Sequence, residues 1–223
     1  MAHPTTPTSM FRRRIRRHAP ARGDGSATER AFDHSAPWHA VEVGNFYTNV
    51  VVTGVDGDAV VEWMRTRGQP AFIDVGDRAS VVFDSAGEMQ DGSHIELARQ
   101  LSAALTCRTL AALNHDDDVL RLDAFVDGEE ADVYDSCPSY FDFDADDVEP
   151  PTGGEHLAEL FDGDQRSLTA ALGGDYVFAV DRHAQVLDAL GLPVTACGLG
   201  YAYLASGERP RPSNGASRLI ELE

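Results

Sequence analysis

The run Phe46-Tyr47-Thr48-Asn49-Val50-Val51-Val52-Thr53 carries more β-forming weight than any other stretch of the chain. Aromatic and β-branched side chains suit a pleated, buried surface, where branching at Cβ costs little rotamer freedom. Gly54 ends the run, so the sequence predicts a central strand around which the rest of the fold must be arranged.

Beyond Gly54 the apolar period switches between that of a helix and that of a strand. After the turn Asp56-Gly57-Asp58, Val60, Trp63 and Met64 share one face of a short helix that Gly68-Gln69-Pro70 stops. Ala71–Val75 and Ser80–Phe83 flank Gly76-Asp77 as a hairpin. Ser93-His94-Ile95-Glu96 has the spacing of a capping box, and Leu97, Leu101 and Leu105 continue one apolar helical face. Thr109–Leu113 reads as a fourth strand and Val119–Phe125 as a fifth, with Leu120 and Leu122 opposite Arg121 and Asp123. Ala131–Tyr134, beyond the Asp127-Gly128 turn, reads as a sixth. The expected fold is α+β: a ferredoxin-like βαββαβ antiparallel sheet with two helices on one face, an extra β-hairpin, and C-terminal helices packed against the sheet.

In the last third, Leu157, Leu160 and Phe161, then Leu168, Ala171 and Leu172, mark two short helices separated by Asp162-Gly163-Asp164. Tyr176–Val180 is expected to be extended. Asp181 is expected to cap a last helix bearing Val186, Leu187 and Leu190, which Gly191-Leu192-Pro193 stops. Residues 1–44 lack a sustained apolar period and are expected to be a disordered basic arm, either a tether in which Arg12–Arg17 meet an anionic surface or nucleic acid, or an extension upstream of an alternative start at Met10. Residues 45–205 form the expected single domain, followed by a loose tail over 206–223. No period of 20–50 residues recurs, which disfavours a solenoid or propeller.

Charge narrows the function classes. All 18 cations are arginine and 37 acids oppose them, for a net charge of -19. Residues 1–30 alone hold seven arginines against Asp24 and Glu29, so residues 31–223 carry -24. A body that negative repels phosphate backbones and attracts basic proteins or divalent cations. The three cysteines, Cys107, Cys137 and Cys197, are odd in number and far apart, which disfavours a disulfide framework and points to a reducing, cytoplasmic compartment. No apolar run is long enough to span a bilayer.

The most suggestive chemistry is Asn114-His115-Asp116-Asp117-Asp118, where the fourth strand turns into the fifth. Asp116, Asp117 and Asp118 could hold Mg²⁺, Mn²⁺ or Ca²⁺, since hard cations want clustered oxygen ligands, with His115 as a general base. Asn and Asp are equally the residues of a solvated turn. Asp142-Phe143-Asp144-Ala145-Asp146-Asp147 imitates the opening of a calcium loop but lacks its glycine and closing glutamate. Cys137, in the loop Tyr134-Asp135-Ser136-Cys137-Pro138-Ser139-Tyr140-Phe141, could be a nucleophile only beside His115 or His156, and its acidic neighbours oppose a thiolate. Gly198-Leu199-Gly200-Tyr201 is half of a nucleotide-binding pattern and is not expected to open a helix.

Four stretches resemble a family of uncharacterised bacterial proteins: Phe46-Tyr47-Thr48-Asn49, Asn114-His115-Asp116-Asp117-Asp118-Val119-Leu120, Tyr134 through Phe141, and Asp181-Arg182-His183 leading to Leu190-Gly191-Leu192-Pro193. The resemblance covers about residues 46–205; it implies an ordered body starting near residue 46 and assigns no catalytic residue. The leading expectation is a non-enzymatic acidic binding or regulatory protein, of inhibitor or immunity type, for a basic partner protein such as a cationic toxin or nuclease. The alternative is a divalent-cation-dependent hydrolase built on Asp116, Asp117 and Asp118, and a third reading is self-association through an open sheet edge.

Overall fold

β1 (Tyr47–Thr53) lies inside an antiparallel sheet, between β3 (Ala79–Asp84) and β4 (Arg108–His115). The structure is a computed structural model that describes residues 44–142, 149–210 and 217–223; the basic arm and all of the 142–147 acidic run except Asp142 lie outside them. Also in the sheet are β2 (Ala71–Val75), β5 (Val119–Val126), β6 (Glu129–Asp135), β7 (Thr152–Gly153) and β8 (Arg218–Leu222), in the order β7-β6-β5-β4-β1-β3-β2-β8. The mixed α and β character and the antiparallel sheet agree with expectation, and the sheet is longer than six strands.

The alternation along β1 divides the core. Val50 and Val52 pack with Val60, Val61 and Met64 of α1 (Gly57–Arg67) and with Leu97 and Leu101 of α2 (Ser93–Leu105). Val51 faces the other way. It joins Leu110, Leu120 and Leu122 against α3 (Leu157–Leu160), α4 (Gln165–Leu172), α5 (Ala179–Ala189) and α6 (Tyr201–Ala205). β1 is therefore apolar on both sides because helices cover both sides, and the sheet is the middle of three layers. The described residues fall in one unit.

Four local expectations are corrected. The capping box does not form: Gly92, at φ 94°, occupies the N-cap of α2, Ser93 Oγ donates to the Ala86 carbonyl, and Glu96 pairs with Arg99 and Gln100 instead. Tyr176–Val180 is no strand, because α5 already begins at Ala179, two residues ahead of Asp181. Gly200 does precede a helix, α6, and lies close against Tyr47, where a Cβ would fall 3.0 Å from the tyrosine's Cβ. The chain end is not loose: residues 218–222 form β8 on the open edge of β2, with Leu219 packed on one core and Ile220 and Leu222 on the other.

Candidate functional site

The β4–β5 hairpin turns through Asp116 and Asp117, both left-handed at φ 55° and 57°, conformations that aspartate tolerates. The middle aspartate is a structural hub. Its carboxylate accepts Asn45 Nδ2 at 3.0 Å, Asn114 Nδ2 at 2.9 Å and the Val180 N–H at 3.2 Å, and its carbonyl accepts the Ala179 N–H at 2.7 Å. Two N-terminal donors of α5 are therefore satisfied from across the fold, which lets the helix start at Ala179 without a capping side chain of its own. Gly44 completes the clamp: a Cβ there would fall 2.2 Å from the Asp116 carbonyl oxygen.

His115 sits just before the turn, half-buried among aromatic rings. Phe46, Tyr140 and Phe141 meet it edge-on, with centroids at 4.9, 5.7 and 5.1 Å. Gln90 Nε2 donates to the Asn114 carbonyl at 2.9 Å, which aims Gln90 Oε1 at His115 Nδ1, 2.6 Å away. Nδ1 is therefore the protonated nitrogen of the ring. Burial lowers the pKa of His115, against the opposing pull of Asp116 and Asp118. Burial and then Asp116 raise that of Asp118, and Tyr140, whose hydroxyl donates to Asp118 Oδ2 at 3.4 Å, is pushed up to about 12.

Beneath the hairpin, Tyr47 and His183 form a buried pair. The Tyr47 oxygen lies 2.8 Å from His183 Nδ1, and the rings stack at 5.8 Å. Burial holds the phenol protonated and lowers the imidazole to about 3. The Gly198 N–H and the Asn114 side chain also face the phenol oxygen, so the hydroxyl donates to Nδ1. His183 Nε2 then carries a proton with no acceptor among the described residues. His183 is thus a core residue behind the hairpin, inaccessible to solvent.

No family model matches the chain, and no curated protein and no solved structure is significantly similar to it. What the molecule does must be read from its own geometry. Four separated stretches of the chain meet at this end of the sheet: Tyr47 with His183, His115 with Tyr140 and Phe141, and Arg182 with the Tyr134 hydroxyl.

Asp116, Asp117 and Asp118 do not play one role. Asp116 and Asp118 are exposed, whereas the Asp117 carboxylate is taken by three N–H donors. Among the described residues no group of three His, Cys, Asp or Glu side chains is gathered to hold a metal ion. Cys137 is half-buried where the chain leaves β6, its N–H donated to Asp135 Oδ1 at 2.9 Å, and His156 lies exposed, its N–H donated to Asp132 Oδ2 at 2.7 Å. Sequence reasoning missed Asn45, Gln90, Val177 and Phe178. The first two are ordinary polar loop residues with no local signature; the apolar pair beside Gly173-Gly174-Asp175 was the available signal for an exposed patch.

Proposed function

We propose that this protein is a non-enzymatic acidic binding or regulatory protein, of inhibitor or immunity type, and that it docks a basic partner protein on the rim of the β4–β5 hairpin. One observation carries this reading. Six large hydrophobic side chains stand exposed among the described residues, and five of them, Phe46, Met89, Phe141, Val177 and Phe178, border this hairpin. Phe46 and Phe141 contact His115, Met89 precedes its partner Gln90, and Val177-Phe178 leads into the Ala179 N–H that Asp117 holds. The same segments expose Asp116, Asp118, Asp142 and Asp181.

Apolar side chains gathered this way supply contact area, and carboxylates among them select the sign of the partner and speed its approach. A chain at -19 favours cationic partners and disfavours nucleic acid. The cytoplasm is the proposed compartment, on the odd and widely spaced cysteines. A ferredoxin-like core over β1-α1-β2-β3-α2-β4 is part of the same proposal, supported by the consecutive order β4-β1-β3-β2 and by α1 and α2 sharing one face.

The test uses two short peptides of equal charge, one of arginine and leucine, one of arginine and serine, titrated into the full chain and followed by backbone amide shifts. The leucine peptide is expected to bind more tightly and to perturb residues 45–46, 89–90, 115–118, 141–142 and 177–181. Phe141→Asp, at an exposed position, is expected to abolish that preference. Equal binding of both peptides, with shifts spread over every acidic face, would refute the docking surface.

A further inference from the structure

At the far end of β1 from the hairpin, two arginines stand near one another, with a single aspartate among the residues around them. A cleft of about 160 Å³ opens there between Thr53-Gly54, Arg78, Arg108 and Asp162, over a floor that includes Phe161 and Leu190. Thr53 pairs with Arg108 on one side and with Ala79 on the other, so the sheet register itself places the two arginines on either side of the strand end. At roughly 300–1,000 Å³, clefts for drug-sized ligands are far larger. This one has room for a single small group and its water.

The two arginines are poised differently. Arg108 is anchored: Nη1 donates to the Leu160 carbonyl and, at 3.2 Å, to Asp162 Oδ2, while Nε and Nη2 have no acceptor among the described residues. Arg78 is exposed and makes no hydrogen bond or ion pair among the described residues, in a chain where acids outnumber arginines two to one. Arg78 and Arg108 line the same cleft, and a fixed guanidinium with unused donors beside a second, unpaired one suits a tetrahedral oxyanion, because each planar fork can grip two oxygens. Thr53 also lines the cleft and carries a hydroxyl, a neutral donor.

We propose that this cleft binds a phosphate-type oxyanion, either inorganic or as the terminal group of a small phosphomonoester, between Arg78 and Arg108. Asp162 is the opposing charge inside the cleft, and Asp77 adjoins Arg78 in sequence. The Asp162–Arg108 pair is solvent-facing, with the carboxylate side chain 80% exposed, so an entering oxyanion displaces a weak contact. The net charge of the chain repels anions at long range, so recognition rests on contact at the arginine forks and not on steering.

The experiment titrates the full chain with sodium phosphate, sodium sulfate, a small phosphomonoester and, at matched ionic strength, sodium chloride, reading backbone amide shifts. Phosphate is expected to give saturable shifts at Thr53, Gly54, Ala79 and Gly191 that chloride does not. Arg78→Gln, at an exposed position without partners among the described residues, is expected to weaken binding about tenfold with no change in melting temperature, and Asp162→Asn to tighten it severalfold. Equal affinity for phosphate and sulfate assigns an inorganic oxyanion site, and tighter binding of the phosphomonoester assigns the monoester. Phosphate shifts that match those of chloride, or that persist unchanged in Arg78→Gln, overturn the proposal.

Discussion

The Asp117 carboxylate lies 3.2 Å from the backbone nitrogen of Val180, 63 residues further along the chain. A turn residue thus supplies the cap of a distant helix, and with Asn45 and Asn114 on the same carboxylate it ties the entry to β1, the hairpin and α5 together. Hydrogen bonds to a charged group contribute more than neutral ones, and donors left behind on truncation are costly. Asp117→Ala is expected to destabilise the fold by about 3 kcal/mol. Asp116→Asn, exposed and tolerant of the same left-handed backbone, should stay within about 0.5 kcal/mol. Urea unfolding of the two variants beside the wild type measures the contrast, and equal midpoints would remove Asp117 from its place as the clamp.

The same hub bears on divalent cations. A metal ion using Asp117 would have to displace three N–H donors, so Mg²⁺, Mn²⁺ or Ca²⁺ in salt-matched buffer is expected to leave the melting temperature unchanged. A saturable, ion-specific rise that disappears in Asp117→Asn/Asp118→Asn would instead establish the hydrolase-type metal site.

Two buried histidines make the protein sensitive to mild acid. Burial lowers His183 to about 3 and His94 to about 4, the latter with Asp123 and Asp91 pulling upward and Arg121 pushing down. Unfolded, both titrate near 6.5, so between those values the unfolded chain binds protons that the folded one refuses. Their contribution is full above pH 6.5 and is lost at up to about 1.4 kcal/mol per pH unit per histidine as pH falls below it. Asp84, whose carboxyl burial raises, works in the opposite sense as pH passes down through its own range. Urea midpoints from pH 7.5 to 5 should fall with acid, and His94→Leu should flatten the slope by about half. A midpoint independent of pH would contradict the buried neutral state of both rings.

β8 closes the edge beside β2, with Ile220 paired to Ile73 and packed on the α1–α2 side. Ile220→Ser is expected to cost about 2 kcal/mol, since the side chain is only partly buried. Hydrogen exchange is the direct readout: β2 amides bonded to β8 should lose protection while those of β4 and β5 keep theirs. Uniform loss would mean that β8 is integral to global stability.

Elements whose signal is local were legible. The Val50-Val51-Val52 run, the Leu97 and Leu101 face and the Asp127-Gly128 turn each state their conformation within a few residues, because period and turn chemistry are short-range properties. Residues 218–222 escaped because Pro- and Arg-bearing sequence precedes a strand whose stability comes from the edge it joins and the cores it packs on. The start of α5 escaped for the same kind of reason: its cap lies on another element.

At the site, the ingredients were already written in the chain: an acidic body, three consecutive aspartates at a turn, and an aromatic loop after the sixth strand. Their uses were set by tertiary packing. It turned Asp117 inward as a clamp, left Asp116 and Asp118 in solvent, and buried His183 against Tyr47 while ringing His115 with Phe46, Tyr140 and Phe141. Composition and period report how a residue meets its neighbours along the chain. Whether a carboxylate faces water or a backbone N–H depends on which strand and helix the sheet order brings beside it.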